Sequence, residues 1–269
     1  MTKTISHLSS LNSHLVIGWL YPQLMSTYGD RGNILVLQKR CEWRGIKTEI
    51  VDIDQSTNDQ RLTTIDLLFG GGAQDREQEI VMNDLMKKKH AIKQHIGADK
   101  PALFVCGAPQ LMGNYYEPAA GKRIEGLGIF DMASIHPGPK QDRLIGNVVA
   151  QIQTNNLSSP YHLVPGPFLV GFENHGGRTY LGENAKPFAK VIKGFGNNGE
   201  DGTEGVVYKN AIGSYLHGPL LPKNPQIADW LITKTLEIKY KIEIKLDDLD
   251  DSLEEKAKEA IMSRLKVNF

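Results

Sequence analysis

Four apolar runs of strand length, "LVIGWL" (15–20), "TEIVDI" (48–53), "IDLLFG" (65–70) and "ALFVCG" (102–107), recur through the first half of the chain. Helix-period segments separate them. "GNILVLQKRCEWRG" (32–45) puts Ile34, Leu37 and Cys41 on one face, which makes Cys41 a core residue, and the stretch from Arg76 to His95 also reads as helical. Strands that are apolar throughout and alternate with helices predict an α/β fold, a mostly parallel sheet covered on both faces by helices.

From Gly126 to Gly218 the texture changes to short β-like runs broken by Gly and Asn, including "LIGNVVAQI", "FLVGFEN", "AKVIKGFGNN" and "EGVVYKNAIGSYLHG". These read as antiparallel additions to the same sheet. The tail "DDLDDSLEEKAKEAIMSRLK" carries acids early and bases late, with Leu253, Ala257, Ala260, Ile261 and Leu265 at helical spacing, and predicts a terminal helix docked on the domain or facing a partner. "NNLSSPYHLVPGP" (155–167) reads as a surface loop, so residues 1–269 form one domain with a core at about 15–240 and a charged helix at 241–269.

Composition excludes several function classes. Thirty-one basic residues balance thirty-one acidic ones, which leaves no electrostatic footprint for nucleic acid or an anionic membrane. Two cysteines in no CxxC pair exclude a disulfide framework, and no His/Cys/Asp/Glu group has metal-ligand spacing. No run approaches the length of a membrane span and the start lacks a signal-peptide pattern, so the expectation is a soluble cytoplasmic chain.

In parallel sheets, chemistry sits at the carboxyl ends of strands. "PALFVCGAPQLMG" (101–113) brings Cys106 to such an end, at a turn into a helix whose amino terminus favours thiolate over thiol. The alternative is a small buried hydrophobe, since free cysteine is commonly buried. The Gly107 N–H can stabilise an oxyanion, and the second donor is expected from "FGGGAQDREQ", at Gly71 and Gly72, although three glycines alone also suit a tight turn.

A nucleophilic cysteine needs a base, and His217 in "GSYLHGPLLPKNP" is the best placed of eight histidines. His7, His14, His90, His95 and His162 read as surface residues; His136 lies in a Pro/Gly turn and His175 is an intermediate case.

Taken together, "YPQLMSTYGDRGNILVLQKRCEWRGI", "FGGGAQDREQ", "CGAPQLMG", "RLIGN", "GFENHGGRT" and "GSYLHGPLLPKNP" resemble the glutaminase subunit of lipid II isoglutaminyl synthase, of the cobyric-acid-synthase type of glutamine amidotransferase, over about residues 15–240. The resemblance implies a class I glutamine amidotransferase fold with Cys106 as nucleophile, His217 as base, Gly71, Gly72 and Gly107 at the oxyanion hole, and Arg143 on the carboxylate of L-glutamine. Gln110 either contacts substrate or faces its own helix. No cofactor is implied.

The implied function is release of ammonia from glutamine to a Mur-ligase-like, ATP-dependent synthetase on another chain. That partner contacts lipid II and amidates its stem-peptide D-glutamate at the inner face of the membrane. "MSTYGDRGN" (25–33) and "GFENHGGRT" (171–179) are the candidate contact loops. A glutaminase serving a cobyrinate-like acid and a non-catalytic scaffold are the alternatives.

Two departures from the family pattern bear on the site. Ala108 and Pro109 follow Cys106-Gly107 where Gly-aromatic is usual, which puts the shape of the pocket in question. Gly218 and Pro219 follow His217, so the glutamate that completes many class I triads is missing. Either the pair works as a dyad or an acidic residue reaches the ring from elsewhere, the partner included; without one, the isolated chain should be a weak glutaminase.

Overall fold

The computed structural model describes residues 4–5, 13–157 and 168–267. Its centre is a six-stranded sheet in the spatial order Val206–Tyr208, Ala211–Ser214, Ala102–Val105, Leu67–Gly70, His14–Leu20, Lys47–Ile53. The five strands from Ala211–Ser214 to Lys47–Ile53 run parallel, and only Val206–Tyr208 is antiparallel to its neighbour. The α/β class is therefore as expected.

Side chains along these strands divide by the two-residue period of the pleat. Leu15, Ile17, Leu67, Phe69, Leu103 and Val105 enter one core, with Ile34, Leu37 and Cys41 of helix Arg31–Glu42 and Trp230 and Leu231 of helix Pro225–Tyr240. Val16, Leu68, Ala102 and Phe104 enter the other, with Val81, Ile92 and Leu111 from helices Asp75–Leu85, Lys89–Gly97 and Gly107–Met112. Burial on both faces is why these strands are apolar throughout rather than alternating.

Several details differ from the sequence reading. The stretch 76–95 is two helices meeting at Lys88, whose buried ammonium pairs with Asp84. The inner face of the second buries His95, expected at the surface, where Nε2 lies 3.1 Å from the Pro101 carbonyl and burial pushes its pKa down to about 4. The later strands mostly form sheets of their own. One has the order Phe168–His175, Leu144–Ile152, Ala189–Lys193, Thr203–Glu204; the other runs Arg178–Leu181, Met132–Ile135, Tyr115–Glu117, Ile124–Glu125. His7, His162 and residues 158–167 of the expected surface loop lie outside the described residues.

The terminal helix, Ser252–Arg264, docks through part of the expected stripe: Ile261 and Leu265 pack with buried Met262, whereas Ala257 and Ala260 are exposed, Leu253 is 75% exposed, and Lys258 is buried instead. Charge fixes its start. Buried Arg40 forks onto Asp229 at 2.6 and 2.7 Å and onto Asp251 at 2.5 and 3.0 Å, and Arg44 takes the same Asp229 oxygens at 2.9 and 2.7 Å. Three helix ends thus meet on one bidentate network.

Asp229→Ala leaves two buried guanidinium groups short of their shared partner. Urea unfolding should show a loss of about 3 kcal/mol, the low end for a broken buried pair because Asp229 is 17% exposed. No change in the midpoint would mean that solvent already screens the network.

Candidate active site

Cys106 follows the central strand Ala102–Val105 and precedes helix Gly107–Met112, with φ 56° and ψ −100°. Such a conformation is strained for any residue with a Cβ, and recurs where a side chain must be held at a sharp turn. Its N–H donates to the Ser214 carbonyl at 2.8 Å, which anchors the turn to the neighbouring strand. The residue is only 7% exposed, yet it lines a cleft of about 650 Å³.

Backbone crowding dictates the next residues. A Cβ on Gly107 would lie 2.9 Å from the Ala73 nitrogen and 3.1 Å from Gln78 Nε2, so only glycine lets the turn approach the 70–73 loop. Ala108 and Pro109 point the other way. Their Cβ atoms would meet Cβ atoms built on Gly70 and Gly213, each at 3.0 Å, so both pack onto the sheet and neither lines the cleft. Pro109 sits in the first turn of its helix, where no N–H is needed. The departure after Cys106-Gly107 therefore alters packing beneath the turn rather than the pocket wall.

His217 is fully buried just past strand Ala211–Ser214, bridged to Phe172 by backbone hydrogen bonds of 2.7 and 3.2 Å. Its Nδ1 lies 3.3 Å from Asp30 Oδ1, while Asp30 Oδ2 accepts the Gly72 N–H at 2.6 Å. Asp30 is itself fully buried at the start of helix Arg31–Glu42. The helix reaches that position because Gly32 has no side chain, a Cβ there falling 2.4 Å from Pro219 Cγ, and because Asn33 Oδ1 accepts the Leu221 N–H at 2.9 Å. Tyr28, half-exposed with φ 55°, sets its ring edge-on to the imidazole at 4.9 Å.

Bonding of Nδ1 to Asp30 leaves Nε2 without a hydrogen-bond partner among the described residues. Burial alone would lower the His217 pKa, but the charge of Cys106 and the hydrogen bond and charge of Asp30 outweigh it and raise it. The arrangement favours an imidazolium at His217, with Asp30 as its orienting carboxylate.

Three expected oxyanion-hole residues separate here. Gly107 is beside the nucleophile. The Gly72 N–H is already donated to Asp30, and Gly71 is packed against Met25 and Asp30, so the loop residue that reaches the cleft next to Gly107 is Ala73.

Gln110 is buried and turned into the cleft rather than along its own helix. Its Nε2 donates to Tyr215 Oη at 3.0 Å and its Oε1 accepts from Gln78 Nε2 at 3.0 Å. His175, 2% exposed, stacks on Tyr215 at 3.9 Å. Arg143 lies on the cleft rim, its Nε and Nη2 donating to the Asn174 side chain and carbonyl at 2.9 Å each.

Thus Cys106, Gln110 and Arg143 line one cavity together with Tyr28 and Ala73, while Gly107 adjoins Cys106 and the fully buried His217–Asp30 pair lies behind the lining. "MSTYGDRGN" and "GFENHGGRT", expected as contact loops, furnish the interior and rim of that cavity, with Asp30, Glu173 and His175 all buried. Among the described residues no group of three or more His, Cys, Asp or Glu side chains is placed to hold a metal ion.

The fold is that of class I glutamine amidotransferases: the glutaminase domain of Trypanosoma brucei CTPS with bound acivicin superposes with a TM-score of 0.55 at 13% identity, covering 87% of this chain and 96% of that one. Residues 16–225 match the CobB/CobQ-like glutamine amidotransferase domain, and the chain belongs to that family. It is 41% identical over 256 residues to the lipid II isoglutaminyl synthase (glutamine-hydrolyzing) subunit GatD of Streptococcus pneumoniae, covering 95% of this chain and 94% of that one. The subunit of the same name from Staphylococcus aureus is 38% identical, with 89% and 91% covered. The resemblance read from the motifs is thereby upheld.

Asp30→Asn should lower kcat for glutamine hydrolysis by up to about 10⁴-fold, the scale set by loss of tautomer control in a triad. Because the Asp30 carboxylate helps to keep His217 protonated, its removal should also shift the alkaline limb of the kcat profile to lower pH. An unchanged rate and profile would reduce the Asp30 contact to packing.

Proposed function

We propose that this chain is the glutaminase subunit of a lipid II amidating complex, hydrolysing L-glutamine and passing the ammonia to a Mur-ligase-like, ATP-dependent synthetase. The observation that carries the reading is the strained Cys106, which lines the cleft, beside the buried His217–Asp30 pair. Similarity over nearly the full length of two relatives named lipid II isoglutaminyl synthase subunits supports the choice of acceptor.

The chemistry follows from the groups present. Cys106 Sγ attacks the side-chain amide carbon of glutamine, and the amide oxygen becomes an oxyanion facing the N–H groups of Gly107 and Ala73. His217 gives a proton to the departing nitrogen, so ammonia leaves and a glutamyl thioester stays on Cys106. The imidazole then takes a proton from water, hydroxide attacks the thioester carbon, and glutamate and the cysteine are released. Arg143 and Gln110 hold the substrate while this occurs.

Ammonia release alone amidates nothing. The chain has no Gly-rich loop ending in Lys-Ser/Thr for ATP, so activation of the D-glutamate carboxyl belongs to the partner. Ammonia protonates readily in neutral water, which is the physical reason for docking the two active sites. None of the described helices is long and apolar enough to cross a membrane. Lipid II is then met through the synthetase, at the cytoplasmic face.

With the synthetase present, Cys106→Ala should abolish lipid II amidation driven by glutamine and leave amidation driven by ammonium intact. Glutamine-driven amidation that survives the substitution would end the proposal.

A further inference from the structure

The Pro/Gly turn at "IHPGP" is not absorbed by the chemistry above, yet it is tightly built. The His136 N–H donates to the Glu117 carbonyl at 2.8 Å, and Gly138, at φ 105°, turns its own N–H back onto His136 Nδ1 at 3.1 Å. A ring whose Nδ1 accepts a hydrogen bond carries its proton on Nε2 when neutral. Burial lowers the His136 pKa, Asp75 on helix Asp75–Leu85 opposes this, and Arg178 and Arg143 reinforce it, so the neutral form is favoured.

Nε2 of His136 borders one glycine of the cleft wall. A Cβ built on Gly176 would lie 2.7 Å from that atom and 3.3 Å from Arg143 Nη1. Arg143 spends Nε and Nη2 on Asn174, and no described residue bonds Nη1. Arg178 braces the cradle from behind, its guanidinium donating to the Gly176 carbonyl at 2.8 Å and the Asp142 carbonyl at 2.7 Å. Two donors with no acceptor among the described residues therefore stand beside one glycine, on the wall of the cleft that Cys106 lines. Such a cradle fits an anion with two oxygens.

We propose that His136 is a specificity-determining residue for the amino-acid head group, sharing the substrate α-carboxylate with Arg143 over Gly176. This rests on the glutaminase reading and adds to it: Arg143 supplies charge, whereas His136 supplies an uncharged donor that discriminates against substrates lacking the carboxylate.

Steady-state hydrolysis of L-glutamine and of L-glutamine α-amide by wild type, His136→Ala and His136→Gln tests it. For L-glutamine, His136→Ala should raise KM about 10-fold, the effect of a lost hydrogen bond to a charged group, with the loss falling on KM rather than kcat. His136→Gln keeps a donor and should recover part of it. For the α-amide, already poor in wild type, His136→Ala should change nothing further. An unchanged KM for glutamine, or an equal rise for both substrates, overturns the proposal.

Failure of the glutaminase reading gives a separate signal, no hydrolysis of glutamine by wild type. Calorimetry with L-glutamate then decides the subsite alone: weakening in His136→Ala supports it, and unchanged binding overturns it.

Discussion

The carboxylate of Asp30 is the contact on which the site depends. With no exposure to solvent, one oxygen faces His217 Nδ1 and the other accepts the Gly72 N–H. A buried carboxylate is costly unless both oxygens are satisfied, and here its two partners are His217 and the 70–73 loop that packs against Gly107. Three segments distant in sequence are thus locked by one group. Because the ring binds it through Nδ1, the nitrogen left over is Nε2, the one suited to exchange a proton with Cys106.

The parallel sheet explains why these groups can meet. Strands Leu67–Gly70, Ala102–Val105 and Ala211–Ser214 are adjacent and parallel, so the 70–73 loop, Cys106 and the approach to His217 all emerge at one edge. Helix Arg31–Glu42 adds Asp30 at that edge because Gly32 lets it close onto Pro219. Its far end is tied by Arg40 and Arg44 to Asp229 and Asp251, so the electrostatic clamp that docks the terminal helix also holds the element that positions the orienting acid.

Much of this was legible in the residues. Strand-length apolar runs named the sheet, the spacing of Ile34, Leu37 and Cys41 distinguished the core cysteine from the one at the strand end, and the motifs selected Cys106 and His217. Asp30 was not legible as a partner of His217, because the two are separated by 187 residues and a lone acid before a helix reads as an ordinary cap. Asp30 places within the chain an acid at the ring where none follows His217 in sequence. That Ala73, rather than Gly72, lines the cleft was equally hidden, since Asp30 takes the Gly72 N–H. At the terminal helix, spacing placed Ile261 and Leu265 correctly on the docked face but not Leu253, because that face starts from the Asp251 clamp and turns Lys258 and Met262 inward.

The measurement that reaches the central claim most directly is nitrogen-15 NMR of the His217 ring in the isolated chain at neutral pH. A protonated Nδ1 is expected, its hydrogen exchanging slowly and showing the downfield shift of a bond to a carboxylate, with that signature lost in Asp30→Ala. A ring with bare Nδ1, or one whose signature persists without Asp30, would contradict the claim that this chain carries its own orienting acid.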